Sequence, residues 1–129
     1  MALTVFVAGI AMAQSQLPSC LGKDARRWTN CQGVINFTNG DRYEGEFRDG
    51  KWNGWGTYYH LANNQFRGDK YTGQFLNGSR QGNGRYTSAN GGEPLEGIWN
   101  VGSFVRAEKV NLQAQTDFAL LEERKRIEE

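Results

Sequence analysis

Between Asp41 and Tyr59 the chain alternates large apolar or glycine residues with polar ones, in the run DRYEGEFRDGKWNGWGTYY. Tyr43, Gly45 and Phe47 share one parity, and Glu44, Glu46 and Arg48 share the other. On a strand, successive side chains point to opposite faces, so this pattern predicts a strand with one packed face and one wet, charged face. Asp49-Gly50 follows as a hairpin turn, because glycine readily takes the positive φ that such turns require. Gly54, Gly56 and Tyr58 then share a parity on the return strand. The stretch therefore predicts a β-hairpin.

The same frame returns 28 residues later as Tyr71, Gly73, Phe75, Gly78, Gly82, Gly84 and Tyr86. A partial copy follows 24 residues further on as Leu95, Gly97, Trp99 and Gly102. A leading half copy, Cys31-x-Gly33-x-Ile35, stands 23 residues before Gly54-x-Gly56-x-Tyr58. Self-similarity at such a period marks a stacked repeat architecture, and its variation places the extra residues in connections. The longest insertion falls at His60 to Phe66, and Asn39-Gly40 reads as the turn that joins the half copy to the first full one. Glycine inside a strand weakens it. Gly45, Gly73 and Gly97 nevertheless each lie between two large residues of the same parity. A bare glycine there lets a neighbouring ring lie flat over the backbone and lets the sheet bend. Flexible linker is the competing explanation for so much glycine, but linker glycines do not keep register with aromatics.

These residues resemble the MORN repeat family (membrane occupation and recognition nexus), whose pattern runs Tyr-x-Gly-x-Phe/Trp-x-x-Gly-x-x-x-Gly-x-Gly-x-Tyr. Tyr43 to Tyr58 and Tyr71 to Tyr86 match it almost throughout, and Leu95 to Gly102 matches its first half. The resemblance spans residues 32–105. It implies an all-β repeat: an elongated, single-layer antiparallel β-meander of hairpins with an aromatic groove. It also implies a scaffold role in membrane attachment or protein assembly, and it carries no catalytic motif. The choline-binding repeats of cell-wall proteins are the nearest confusable pattern, through Trp55 and Tyr58-Tyr59, but the Gly-x-Gly step fits MORN better.

On either side of the array the pattern changes. Met1 to Ala13 is uncharged and mostly apolar, too short to span a bilayer as a helix, and ends in an A-x-A site before polar Gln14-Ser15-Gln16. It reads as a signal peptide, residues 1–13, of an exported bacterial-type protein that is periplasmic or secreted. It lacks a basic n-region, and a buried N-terminal helix is the alternative. Leu17-Pro18-Ser19-Cys20 resembles a lipobox, which gives a lipid anchor on Cys20 as a minor alternative. Cys20 and Cys31 are the only cysteines, and behind an export signal an even count reads as a disulfide. Closing that loop stabilises by roughly 3 kcal/mol in the chain-entropy model. Residues 14–32 then form a stapled N-terminal cap, with Trp28 covering the end of the first hairpin.

Residues 106–129 are the exit segment. Arg106 to Asn111 reads as a last strand or connection, and Thr116 to Glu129 as a C-terminal α-helix. That stretch is rich in helix formers, with Thr116 as cap and Glu122 four residues before Arg126. It either docks on the sheet or begins a longer coiled coil. Asn36-Phe37-Thr38 and Asn77-Gly78-Ser79 match the glycosylation sequon, which matters only on a eukaryotic secretory route.

Composition narrows the function. The formal net charge is +1 with charges spread along the chain, which argues against a dedicated nucleic-acid binder. A hydrophobic content of 38% suits a single sheet better than a thick core. His60 is the only histidine, so no metal set or histidine-based catalytic set forms, and no cofactor is implied. Glu44 and Glu46 are spaced for a carboxylate pair but read as a solvated outer face. Gly-x-Gly at Gly54 and Gly82 is no dinucleotide fingerprint, because no helix follows. The expectation is a non-catalytic module for protein interaction or self-association. A surface for lipid headgroups or envelope glycan is the alternative, with Arg42, Lys51, Lys70, Arg80 and Arg85 as the basic rim. The expected working face is Tyr43, Phe47, Tyr58, Tyr71, Phe75, Tyr86 and Trp99. Phe47 and Phe75 are its structural centre, and Tyr86 and Trp99 its contact residues toward the free end.

Overall fold

The computed structural model describes residues 17–110 of the 129 in the chain. The expected signal peptide and the expected helix over Thr116–Glu129 lie outside the described residues. Seven strands follow in order: β1 Cys31–Asn36, β2 Arg42–Arg48, β3 Lys51–Tyr59, β4 Lys70–Leu76, β5 Ser79–Thr87, β6 Leu95–Asn100 and β7 Ser103–Ala107. They form one antiparallel sheet in chain order, the meander that the repeats predict.

Strand register links the sequence pattern to the packing. Gly33 pairs with Gly45, Gly45 with Gly56, Gly56 with Gly73, Gly73 with Gly84 and Gly84 with Gly97. One row of glycines therefore crosses six strands. The row beside it runs Ile35, Tyr43, Tyr58, Tyr71, Tyr86, Leu95. The rings of Tyr43 and Tyr71 lie over that glycine row. A Cβ added at Gly56 would stand 2.6 Å from a Tyr43 ring carbon, and one at Gly84 would stand 2.3 Å from a Tyr71 ring carbon. Both phenols reach across to a backbone carbonyl of their own strand, Tyr43 to Glu46 at 2.8 Å and Tyr71 to Gln74 at 3.0 Å. Tyr43, Phe47 and Tyr71 are consequently buried although the sheet has no second layer among the described residues.

The two ends of the sheet differ. At one end β2–β3, β4–β5 and β6–β7 are joined by tight turns with positive φ at both central residues: Asp49-Gly50, Asn77-Gly78 and Val101-Gly102. That is the backbone of a two-residue hairpin turn matched to strand twist. Each turn is fastened to its neighbour: the amides of Gly50, Gly78 and Gly102 donate to the carbonyls of Trp28, Trp52 and Arg80 at 2.8–2.9 Å. At the other end the connections are long, and β3 to β4 crosses residues 60–69.

Three details differ from the sequence reading. The third repeat is a complete hairpin, because β7 returns against β6 without a Gly-x-Gly step. β7 ends at Ala107, so the expected last strand begins earlier than Arg106. Glu46 is not part of a solvated face: its carboxylate accepts from the Trp55 amide at 2.7 Å, where the register between β2 and β3 shifts. Gln74 does the same for the Asn83 amide at 2.9 Å. These side chains satisfy a bulge amide that the ladder leaves unpaired.

The expected disulfide is present. Cys20 and Cys31 are bonded. Gln32 exchanges backbone hydrogen bonds with Pro18 and Cys20, both 2.8 Å, which covers the outer edge of β1. Trp28 lies edge-on to Phe47 at 5.0 Å and over Gly33.

Gly84→Ala is expected to destabilise the protein by about 3 kcal/mol, because overpacking drives the Tyr71 ring off the sheet. Gly92→Ala is the control, since the nearest atom to its added Cβ is 3.7 Å away. Urea unfolding midpoints of the two variants measure the difference.

Candidate functional site

Two buried aspartates organise the long-loop end. Asp41 accepts from Tyr58 Oη at 2.7 Å and from the Leu61 and Ala62 amides, both at 2.9 Å. Asp69, 28 positions later, accepts from Tyr86 Oη at 2.5 Å and from the Ala89 amide at 2.9 Å. Each aspartate thus holds a tyrosine of the following hairpin and pins the loop beyond it. Burial alone raises the Asp41 carboxyl, but the Tyr58 phenol and the two amides outweigh it and leave it below its ordinary value. The Tyr86 phenol, then the Ala89 amide, likewise lower Asp69. The Tyr86 phenol is pushed up to about 12, by burial first and then by the bond to Asp69.

This arrangement fixes Tyr58 and Tyr86 as half-buried walls on the aromatic face. Between them opens a groove of about 390 Å³. Its floor is Tyr71 and Phe75, which are buried. Trp52, His60 and Phe66 join Tyr58 in lining it, and Ser79 and Arg80 join Tyr86. The rings form a contiguous network: Trp52 stacks on Tyr43 at 5.0 Å, His60 meets Tyr58 at 4.9 Å, and Phe66 lies 5.7 Å from His60. Phe66 is 44% exposed and projects from the long insertion.

The seven residues expected on the working face do share one face of the sheet, but in two roles. Tyr43, Phe47, Tyr71, Phe75 and Trp99 are buried, and Tyr58 and Tyr86 are half-buried. Trp99 is covered rather than exposed toward the end of the array: Phe104 packs on it at 5.2 Å, and its indole donates to the Gly84 carbonyl at 3.2 Å. The accessible part of the aromatic face is therefore the groove between the two full repeats. Sequence reasoning missed Trp52, His60 and Phe66. Trp52 has the parity of Gly54 and Gly56, a usable signal, whereas His60 and Phe66 sit in an insertion with no period.

The expected basic rim is divided. Arg42 pairs with Glu44 at 3.2 Å and Arg85 with Glu96 at 3.1 Å, both on the wet face. Lys51 and Lys70 stand opposite Arg48 and Tyr59, on that same face by strand register. Of the five, Arg80 alone lines the groove.

Stability is expected to be level from neutral pH to about pH 4 as far as these aspartates are concerned, and to fall below it. Their folded values lie under the unfolded carboxyl value, so their contribution is complete above about 3.9 and is lost as pH falls through the folded values. Thermal midpoints against pH test this. Asp69→Asn is expected to flatten part of the acid limb and to lower the neutral midpoint.

No curated protein matches the chain. A family model described as MORN repeat matches residues 43–60 and 71–93. Those segments contain Tyr58 and Tyr86, the half-buried walls of the groove, together with most of β2, β3, β4 and β5. The two hairpins on which the groove is built are thus similar to MORN repeats, over 41 of the chain's 129 residues.

Proposed function

We propose that this protein is a non-catalytic interaction module whose aromatic groove holds a segment of a protein partner or of a second copy. The observation that carries this reading is the groove itself. Half-buried and exposed rings, Trp52, Tyr58, His60, Phe66 and Tyr86, line an opening on a buried floor. Aromatic walls of this kind present apolar bodies with polar tips, and exposed patches of them mark interaction sites. The hydrogen-bonded aspartates hold Tyr58 and Tyr86 in place before binding, which limits the ordering cost of association.

An exported location agrees with the Cys20–Cys31 disulfide, a bond that persists in oxidising compartments. Binding of lipid headgroups, the alternative, calls for a cluster of basic residues around the groove. Four of the five candidate cations lie on the other face, which favours a protein partner over an anionic membrane.

Phe66→Ser tests the reading, because Phe66 is exposed and its loss leaves the floor intact. The variant is expected to keep its unfolding free energy within about 0.5 kcal/mol of the parent. Sedimentation across a concentration series, and capture from the envelope fraction of the source cells, compare the two proteins. Loss of self-association, or of a specifically retained protein, in the variant alone is the expected outcome. A parent that stays monomeric and retains nothing that Phe66→Ser fails to retain overturns the proposal.

A further inference from the structure

Arg80 occupies the frame position that Trp52 holds one repeat earlier, 28 residues before it, and Trp28 holds in the cap. All three give their carbonyl to the amide of a neighbouring tight turn. Where the first repeat places an indole against Tyr43, the second places a guanidinium among rings. The Arg80 guanidinium carbon lies 4.8 Å from the Trp99 ring centre, 5.5 Å from Tyr86 and 5.8 Å from Tyr71. Its Nη2 donates to the Gly102 carbonyl at 2.7 Å. Guanidinium carries five donors, so one fastening bond leaves it the capacity for bidentate recognition of a carboxylate.

Three of the other four strand arginines are engaged elsewhere, and the fourth, Arg48, stands beside Lys51 on the wet face. Arg42, Arg85 and Arg106 each meet a glutamate on the exposed side of the sheet. None of the ion pairs among the described residues includes Arg80, which lines the groove. Rings flank it there and restrict water, so a carboxylate reaching it is screened less than one on the wet face.

We infer that Arg80 makes the groove selective for a partner segment that presents one carboxylate beside a large apolar side chain. The inference rests on the groove reading above and goes beyond it by naming the chemistry of the occupant. The apolar group meets Trp52, Tyr58 and Phe66, and the carboxylate meets the guanidinium. A single guanidinium among aromatic rings suits a single carboxylate, whereas a polyanionic headgroup calls for several cations. The partner is therefore a peptide segment with an aspartate or glutamate next to an aromatic or leucine residue, and not a membrane surface.

The competing account makes Arg80 a packing residue that covers Trp99 and fastens the Gly102 turn. Two matched probes separate the accounts: the peptides acetyl-Leu-Phe-Glu-Leu-amide and acetyl-Leu-Phe-Gln-Leu-amide. Binding is followed on the full chain by the NMR shifts of the Trp52 and Trp99 indole N–H groups. The glutamate peptide is expected to bind about fivefold tighter at low salt, an advantage that disappears near 0.5 M sodium chloride. Arg80→Gln is expected to remove the advantage while both peptides still bind, and Arg80→Lys to keep part of it. Should Arg80→Gln unfold, the salt dependence of the parent and the Arg80→Lys result decide. Equal binding of the two peptides, or an advantage that survives Arg80→Gln or high salt, overturns the inference and leaves the groove reading standing. Binding of neither peptide at millimolar concentration overturns both. Cosedimentation with phosphatidylserine-containing vesicles that Arg80→Gln abolishes assigns the anion to lipid and overturns the peptide assignment.

Discussion

The structure depends on one contact: a tyrosine ring lying flat on a row of glycines. A sheet's apolar face normally needs a second layer to cover it. Here the covering layer is made from the sheet's own side chains. Tyr43 lies across Gly45 and Gly56, and Tyr71 across Gly73 and Gly84, each pinned by its phenol to a carbonyl of its own strand. Each ring in turn supports its neighbours edge-on, Phe47 and Phe75 against Tyr43, Phe75 and Trp99 against Tyr71. The weakness of glycine in a strand is offset by this packing, because only a position without Cβ admits the ring.

That solution fixes where function can sit. Rings that lie flat are consumed as core, and Tyr43, Phe47 and Tyr71 have almost no exposed surface left. The tyrosines of the return strands, Tyr58 and Tyr86, stand differently because their hydroxyls are drawn to Asp41 and Asp69 at the long-loop end. They remain half-buried and form walls. The same aspartates hold the amides of the loops beyond, so the wall and the loop that carries His60 and Phe66 are positioned by related carboxylates.

Much of this was legible in the residues. Parity and the 28-residue frame gave the hairpins, the tight turns at Asp49-Gly50 and Asn77-Gly78, and the shared face of the seven aromatics. Asp41 and Asp69 recur in the same frame, two residues before Tyr43 and Tyr71, but a lone aspartate at a strand start also reads as a surface turn residue. The division of the aromatics into core and wall was not legible, because it depends on which hydroxyl finds a carbonyl and which finds a carboxylate. Trp99 was misplaced for a related reason. The strand that covers it, Ser103–Ala107, lacks the Gly-x-Gly step by which a return strand is recognised. Glu46 was assigned to the wet face by parity, and the bulge beside it breaks parity locally.

A perfect repeat array presents the same surface at every step, so selectivity has to come from departures from the repeat. Two departures meet at the groove and a third lies beside it. The connection after the first full repeat is long and brings His60 and Phe66 to the aromatic face. The position of Trp52 becomes Arg80 one repeat later, which exchanges a stacked ring for a cation. The third repeat closes without glycine on its return strand, which lets Phe104 cover Trp99 and makes Trp99 a firm support for that cation. Each change is tolerated because the glycine row and the tyrosines above it are untouched. The repeated frame therefore carries stability, and the exceptions to it, at and beside the groove, supply the chemistry on which the proposed recognition rests.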